Sequence, residues 1–167
     1  MSPRSRDTPQ QPPVGQPRRP AVGVPERLLI ACGPLGPRLP ATTVASALAR
    51  GICDAGRQEP DICLLSVQDD SSAGIRELLE ELDFEKRMLR ARAVVIGAER
   101  LTERTLAGSV TFEIATRARQ GGVPAYAVTG ENALEAFDAR ILDLQMILQA
   151  RSRGSLLTAG RKLAALS

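Results

Sequence analysis

Several residue types are missing or scarce in this chain. There is no histidine among its 167 residues, which excludes Ser-His-Asp and Cys-His catalysis and any metal held by imidazole. Lysine occurs only at Lys86 and Lys162, so a lysine-dependent mechanism has few candidates. Aromatic residues make up 2% and tryptophan is absent, so aliphatic side chains and alanine must fill the core. The chemistry that remains is that of carboxylates, arginines, hydroxyls and backbone amides.

Cysteines and long apolar runs are also few. The three thiols, Cys32, Cys53 and Cys63, are widely spaced, a pattern that favours neither a disulfide framework nor a zinc site. A reducing compartment suits them. No apolar run approaches the roughly 18–20 residues of a membrane helix, and the N-terminus lacks the apolar segment of a secretory signal. We therefore expect a cytoplasmic protein that does not associate with membranes.

The formal net charge of +3 is unevenly distributed. Residues 1–25 carry four arginines and one aspartate, so this segment accounts for the excess and the rest of the chain is close to neutral. The body therefore has neither the basic face nor the aromatic platform of a nucleic-acid binder, and we expect no nucleic-acid partner. Residues 1–25 are rich in proline, glutamine, serine and arginine, which predicts a disordered tail before a folded domain at 26–167.

Apolar periodicity in residues 26–167 indicates alternating strands and helices. Four apolar runs read as buried strands, at 27–32, 61–67, 91–96 and 123–128. Helical spacing between them, as at Val44, Leu48 and Ile52, predicts the intervening helices. Strands separated in this way pair in parallel with right-handed crossovers. The sequence thus predicts a single three-layer α/β domain with a mostly parallel sheet, Rossmann-like or flavodoxin-like.

The helix starts and one late segment are less sharply defined. Thr42 or Thr43 is a candidate cap for the first helix, Thr105 for the third and Ser155 for the last. The segment 141–148 fits either a fifth strand or a helix.

Ligands of parallel sheets bind beyond the carboxyl ends of the strands, which in this chain means 33–36, 69–70, 97–105 and 129–131. No window matches a P-loop or a dinucleotide fingerprint. Asp69 and Asp70 could hold a magnesium ion, or they could simply start a turn or cap a helix. Glu99 and Arg100 could contact a substrate carboxylate or phosphate, or they could belong to an ordinary solvated loop.

The second half of the chain carries a family pattern. Residues 96–102 read Ile-Gly-Ala-Glu-Arg-Leu-Thr and 105–109 read Thr-Leu-Ala-Gly-Ser. They are followed by Ile-Ala-Thr-Arg-Ala-Arg at 114–119 and Gly-Val-Pro at 122–124. This succession resembles the glycerate kinase family, which phosphorylates glycerate with ATP. The Leu-Ser-Val-Gln-Asp of 65–69 resembles an earlier motif of the same family more loosely.

The resemblance implies ATP and magnesium as cofactors and glycerate, a small hydroxy acid, as substrate. It also implies a set of site residues. These are Asp69 and Arg100 as catalytic groups, and Gly97, Thr105 and Gly108 as substrate or phosphate contacts. Their strand-end positions, rather than the resemblance, add Glu99 to the substrate contacts and make Asp69 with Asp70 the candidate magnesium ligands.

The chain also departs from the family pattern. The long central portion that forms the family's second domain is missing. Ala98, Thr102 and Ser109 stand where the family has Glu, Asp and Lys. Phosphoryl transfer depends on positioned charge, so we expect the reaction to be lost or very weak. Two alternatives remain open: a reduced kinase completed by a homo-oligomer or a partner protein, and a protein-interaction module on the α/β scaffold.

Overall fold

The computed structural model describes residues 23–167. The disordered tail expected at 1–25 lies almost wholly outside these residues. Strands and helices alternate along most of the described chain. The strands are β1 (Leu29–Cys32), β2 (Asp61–Leu64), β3 (Val94–Leu101), β4 (Ala125–Asn132) and β5 (Leu144–Gln149). The helices are α1 (Ala41–Asp54), α2 (Ser72–Glu81), α3 (Phe84–Leu89), α4 (Val110–Gln120), α5 (Ala136–Leu142) and α6 (Arg153–Leu166), with a 3-10 helix at Glu103–Ala107.

The five strands form one sheet in the order β2-β1-β3-β4-β5, and every neighbouring pair is parallel. This order is that of flavodoxin-like doubly wound sheets, in which the chain changes direction between β1 and β3. The expectation of a three-layer α/β domain is confirmed.

Two apolar clusters cover the two faces of the sheet. On one face Ile30, Val95 and Val128 pack beneath Leu48 of α1 and Leu156 of α6. On the other face a second set, drawn from the sheet, α2, α3 and α4, forms the core that includes Leu29, Ile96, Leu79, Phe84 and Ile114. Because successive strand residues point to opposite faces, nearly continuous apolar runs are needed to fill both layers.

The central strand β3 is longer than the sequence predicts. The composition of 97–105 predicts a polar loop, yet β3 continues to Leu101, where it pairs with Asn132 of β4. Backbone pairing with a neighbouring strand overrides the polar composition of the segment. The helix α3 is not anticipated by the sequence, and 141–148 contains both alternatives, the end of α5 and nearly all of β5.

The helix caps differ from those expected. The α1 helix begins after Pro40 without a side-chain cap, so neither Thr42 nor Thr43 serves. Ser109 caps the third crossover helix α4 by accepting from the amide of Phe112 at 3.1 Å, in place of Thr105. Ser152 caps α6, and Ser155 is its partner in a reciprocal capping box.

The edge strand β2 is tied to α3 by Arg87. Its guanidinium donates to both carboxylate oxygens of Asp61, at 2.7 and 2.8 Å, and to the carbonyl oxygen of Ile62 at 2.7 Å. These bonds to Arg87 lower the pKa of the Asp61 carboxyl, and the same bonds raise the pKa of Arg87. Across residues 23–167, no helix has the length and apolar character needed to span a membrane.

Candidate functional site

A cleft of about 420 Å³ lies at the carboxyl end of the sheet. It exists because β3 and β4 continue as a paired extension beyond the last residue of β1, Cys32, which is level with Gly97. The loop that follows β1 forms the opposite wall. The lining consists of Leu35, Gly36, Pro37, Glu99, Arg100, Gly130, Glu131 and Arg151. The cleft therefore holds two arginines and two glutamates at the place where ligands of such sheets bind.

Arg100 and Glu131 form an ion pair across the extension. They are direct partners in the β3–β4 register. The Arg100 Nε lies 3.1 Å from Glu131 Oε2, and its Nη2 donates to Oε1 at 3.2 Å. Both side chains remain substantially exposed, at 61% and 44%. The two carboxylate oxygens of Glu131 thus hold the Arg100 guanidinium in place, while the Arg100 side chain remains largely exposed to solvent.

Glu99 lies on the other face of the extension from Arg100. Side chains alternate along a strand, so Glu99 shares the face of Gly97, which abuts Cys32. Consistent with this, a Cβ placed on Gly36 would lie 3.8 Å from the Glu99 Oε1. Glu99 and Arg100 are adjacent in sequence, yet their side chains reach the cleft from opposite faces of the β3–β4 extension.

Arg151 enters the cleft from the turn between β5 and α6. Its Nε donates to the carbonyl oxygen of Gly130 at 2.8 Å, which fixes the guanidinium beside β4. Gly130 itself is closely packed, since an added Cβ would lie 3.0 Å from the carbonyl oxygen of Glu99.

Thr129 holds the two strands of the extension together from inside. Its side chain is fully buried. The hydroxyl Oγ1 lies 3.0 Å from the carbonyl oxygen of Glu131 and 3.3 Å from that of Glu99, and its single hydrogen is shared between these two acceptors. The hydroxyl therefore helps to set the positions of both acidic residues of the cleft.

Asp69 lies apart from this cleft. Its Oδ1 accepts from the Ser71 amide at 2.9 Å, and this bond lowers the pKa of the carboxyl. Asp69 lines a separate cavity of about 290 Å³ that shares no lining residue with the cleft. A Cβ added at Gly74 would collide with the side chain and the carbonyl oxygen of Asp69. The adjacent Asp70 is exposed.

The side chains present do not fit a resident magnesium ion. In the described part of the chain, no group of three or more Asp, Glu, Cys or His residues converges as a metal site. The Asp69 carboxylate is turned back onto its own turn by the bond to Ser71. Two adjacent exposed carboxylates without a third converging ligand supply too few protein oxygens to hold magnesium in the absence of a nucleotide.

The loop after β1 does not offer a phosphate cradle either. Its prolines at positions 34, 37 and 40 have no amide hydrogen. Of the remaining amides, those of Gly33, Leu35 and Leu39 donate to the backbone carbonyls of Gly97, Leu39 and Gly36. Few donors remain for an anion such as a nucleotide phosphate.

Three other residues expected at the site have structural positions. Gly97 is buried, and a Cβ there would lie 2.5 Å from the Cβ of Cys32. Thr105 is buried in a capping box with Thr102 at the start of the 3-10 helix. Gly108 ends that helix with a φ of 108°, a conformation that glycine adopts readily. None of the three lines the cleft.

Two residues of the cleft are not singled out by the sequence. Glu131 falls within the strand-end segment 129–131, but its partner is visible only once the β3–β4 register is known. Arg151 follows β5, a strand whose existence the sequence leaves open. The signal that could have found Glu131 is the parallel pairing of 91–96 with 123–128, extended by three or more residues at the carboxyl end.

Comparison with known proteins places the chain in a family. A sequence model described as the glycerate kinase family matches residues 63–159, more than half of the chain. Curated protein sequences yield no match. Among solved structures, glycerate kinase 2 from Salmonella typhimurium LT2 is 19% identical with a TM-score of 0.42, covering 63% of this chain and 28% of that one. The chain therefore spans less than a third of that protein's length.

Two further structures match most of the chain. A de novo designed Rossmann 2x3 fold protein is 9% identical with a TM-score of 0.46, covering 85% of this chain and 91% of the design. A flavodoxin from the domain Archaea is 13% identical with a TM-score of 0.42, covering 84% of this chain and 97% of that one.

The family match includes Asp69, the β3–β4 extension and Arg151, and it begins after the loop that follows β1. It therefore covers every residue that lines the Asp69 cavity and, of the cleft, the lining from β3, β4 and Arg151 but not that from the loop after β1. On the extent of this match, the chain belongs to the glycerate kinase family.

Proposed function

We propose that this chain is a glycerate kinase-like α/β domain that binds a small hydroxy acid in the cleft at the carboxyl end of the sheet. Phosphoryl transfer from ATP to glycerate, which family membership implies in general terms, is lost or very weak in it. We further propose that the chain lacks the family's central second domain and that it acts in the cytoplasm.

The separation of the acidic and basic candidates is the observation that carries this proposal. Arg100 lies in the cleft, whereas Asp69 lines a different cavity and its carboxylate is bonded to Ser71. Phosphoryl transfer requires charge converging on one group. Because Arg100 and Asp69 line two separate cavities, too little charge converges on a transferred phosphoryl group.

The cleft suits a compact ligand that carries both a carboxylate and hydroxyls. Arginine pairs with carboxylates in a two-pronged geometry, and both Arg100 and Arg151 line this volume. Glu99 and Glu131 supply acceptors for hydroxyl groups. The cleft of about 420 Å³ falls in the size range of small-molecule sites.

A turnover assay tests the loss of catalysis. Purified protein is incubated with ATP, magnesium and glycerate, and ADP release is compared with that of the Asp69→Ala variant. We expect no release above background from either protein. Glycerate-dependent ADP release that disappears in Asp69→Ala would overturn the proposal, and activity per molecule that rises with protein concentration would favour completion by a homo-oligomer.

A binding assay tests the cleft independently of turnover. A ligand present at one hundred times its dissociation constant stabilises the fold by about 2.7 kcal/mol, so glycerate should raise the melting temperature. Arg100→Gln should abolish the shift. The matched control is Arg76→Gln, which changes an exposed arginine on α2 away from the cleft and should retain the full shift.

A protein-interaction role is a second candidate, favoured by one observation. Leu64 and Val67 are each 38% exposed at the carboxyl end of the edge strand β2. If this is a partner surface, Leu64→Glu should prevent co-purification of a partner while leaving the glycerate-induced shift intact. A chain that elutes as a monomer and captures no protein contradicts this second candidate.

A further inference from the structure

The pairing of Arg100 with Glu131 constrains what can bind Arg100. Glu131 occupies the Nε–Nη2 edge of the Arg100 guanidinium at 3.1 and 3.2 Å, so an anionic ligand that pairs with this edge must displace or share the Glu131 carboxylate. The register holds the two residues directly opposite each other, so Glu131 remains beside the arginine after it is displaced.

The consequence for a ligand depends on its hydroxyl groups. A ligand carboxylate without a hydroxyl that pairs with Arg100 places a second negative charge beside Glu131. Only water can then donate a hydrogen bond to the displaced Glu131 carboxylate. A carboxylate with a neighbouring hydroxyl replaces the lost bond, because the hydroxyl donates to the displaced Glu131 oxygen. Hydrogen bonds to a charged group are among the stronger polar contacts in proteins.

Resting on the function proposed above, we infer that Glu131 determines specificity in this cleft: it selects carboxylates that carry an adjacent hydroxyl over carboxylates that lack one. Glu131 does so in two ways. It competes with anions for the Nε–Nη2 edge of Arg100, and it offers a new hydrogen bond only to those that carry a hydroxyl donor. The position of its own backbone is set by the buried Thr129 hydroxyl, which donates to the Glu131 carbonyl oxygen.

Calorimetry with three probes tests the inference: glycerate, lactate, which keeps the 2-hydroxyl, and propionate, which has no hydroxyl. The wild-type protein should bind glycerate and lactate about fivefold more tightly than propionate, the effect of one modest hydrogen bond. Glu131→Ala should bring all three dissociation constants within about twofold of one another.

A conservative variant separates the two effects. Glu131→Gln removes the competing charge and keeps an acceptor, so all three probes should bind about two- to fivefold more tightly while the preference for the hydroxyl remains. Glu135→Ala is the matched control, because Glu135 is exposed at the start of α5 and makes no cap bond, and it should reproduce the wild-type preference.

The outcomes distinguish this inference from the function on which it rests. Equal wild-type affinity for glycerate and propionate, or a Glu131→Ala variant that keeps the wild-type preference, would overturn the role of Glu131 and leave the cleft as a carboxylate site. Absence of binding by all three probes to wild-type and Glu131→Gln protein would overturn the hydroxy-acid cleft itself. Thermal melts of each variant establish that it is folded.

Discussion

Gly51 of α1 and Gly160 of α6 face each other where the two helices cross. A Cβ on Gly160 would lie 3.1 Å from the Cα of Gly51 and would also meet the carbonyl oxygen of Leu48. A Cβ on Gly51 would lie 3.0 Å from both the Arg161 amide nitrogen and the Cα of Gly160. The helices thus pack backbone against backbone, which only glycine at both positions allows.

Alanine at either crossing glycine should destabilise the fold. Gly51→Ala and Gly160→Ala each place a methyl group against main-chain atoms that cannot rotate away, and overpacking of this kind costs about 1–3 kcal/mol. Urea unfolding measures the change. Gly154→Ala is the control in α6, since its added Cβ would meet its nearest atom at 3.9 Å and alanine favours helix. A crossing variant as stable as Gly154→Ala would contradict the close approach.

Gly97 lies within β3 and Gly33 directly follows β1, and although they are hydrogen-bonded neighbours they should respond differently to alanine. At Gly97 the new methyl would lie 2.5 Å from the Cys32 Cβ, whereas at Gly33 its nearest contact is an ordinary 3.6 Å. Gly97→Ala should therefore lower the free energy of unfolding by about 1–3 kcal/mol, and Gly33→Ala should change it by less than about 0.5 kcal/mol. Equal losses in thermal melts would argue against the tight β1–β3 contact.

The ion pair of Asp61 with Arg87 predicts a specific pH dependence. The folded-state pKa of Asp61 is lowered by its bonds to Arg87, so its contribution is present above the unfolded pKa near 4 and is lost as pH falls through the folded pKa. Asp61→Asn should cost about 1 kcal/mol at pH 7, because the pair is only partly buried. Urea unfolding at pH 7 and pH 3 should show the gap between variant and wild type narrowing at the lower pH. A gap that stays constant would contradict the charged pair.

The three cysteines should differ sharply in reactivity. Cys32 and Cys63 are buried, and burial raises the pKa of Cys32 to about 12 and that of Cys63 to about 11. Cys53 is exposed on α1. Because the thiolate is the reactive form, iodoacetamide at pH 8 should modify Cys53 alone in the native protein and all three thiols in urea. Native labelling of Cys32 or Cys63, detected by peptide mass spectrometry, would show that the sheet opens more readily than its packing indicates.

Patterns carried by single segments predict much of the fold. The runs at 27–32 and 91–96 and the stripe of Val44, Leu48 and Ile52 suffice for a parallel α/β sheet, because one face of each helix and both faces of each strand must be apolar. The predicted end of β3 is wrong because Glu99 and Arg100 are polar, and only the partner strand shows that they are paired. The caps at Ser109 and Ser152 are not predicted, because several hydroxyl side chains lie near each helix start and the sequence does not show which of them bonds to the free amides.

The site is harder to predict because it depends on distances between segments. Family resemblance directs attention to Arg100 and Asp69, but their placement in separate cavities is a property of the folded chain. Glu131 and Arg151 have no motif of their own. They matter because the strand register and the turn before α6 bring them to the same cleft.

The bond from Arg87 to the carbonyl oxygen of Ile62 has a consequence for contacts between molecules. The Asp61 and Leu65 amides donate to β1, so strand alternation turns the Ile62 carbonyl outward from the sheet. An exposed edge with free carbonyls can recruit a strand from another chain. By occupying that acceptor with a bulky cation, Arg87 obstructs intermolecular sheet growth from β2, and its loss would favour aggregation as well as lower stability.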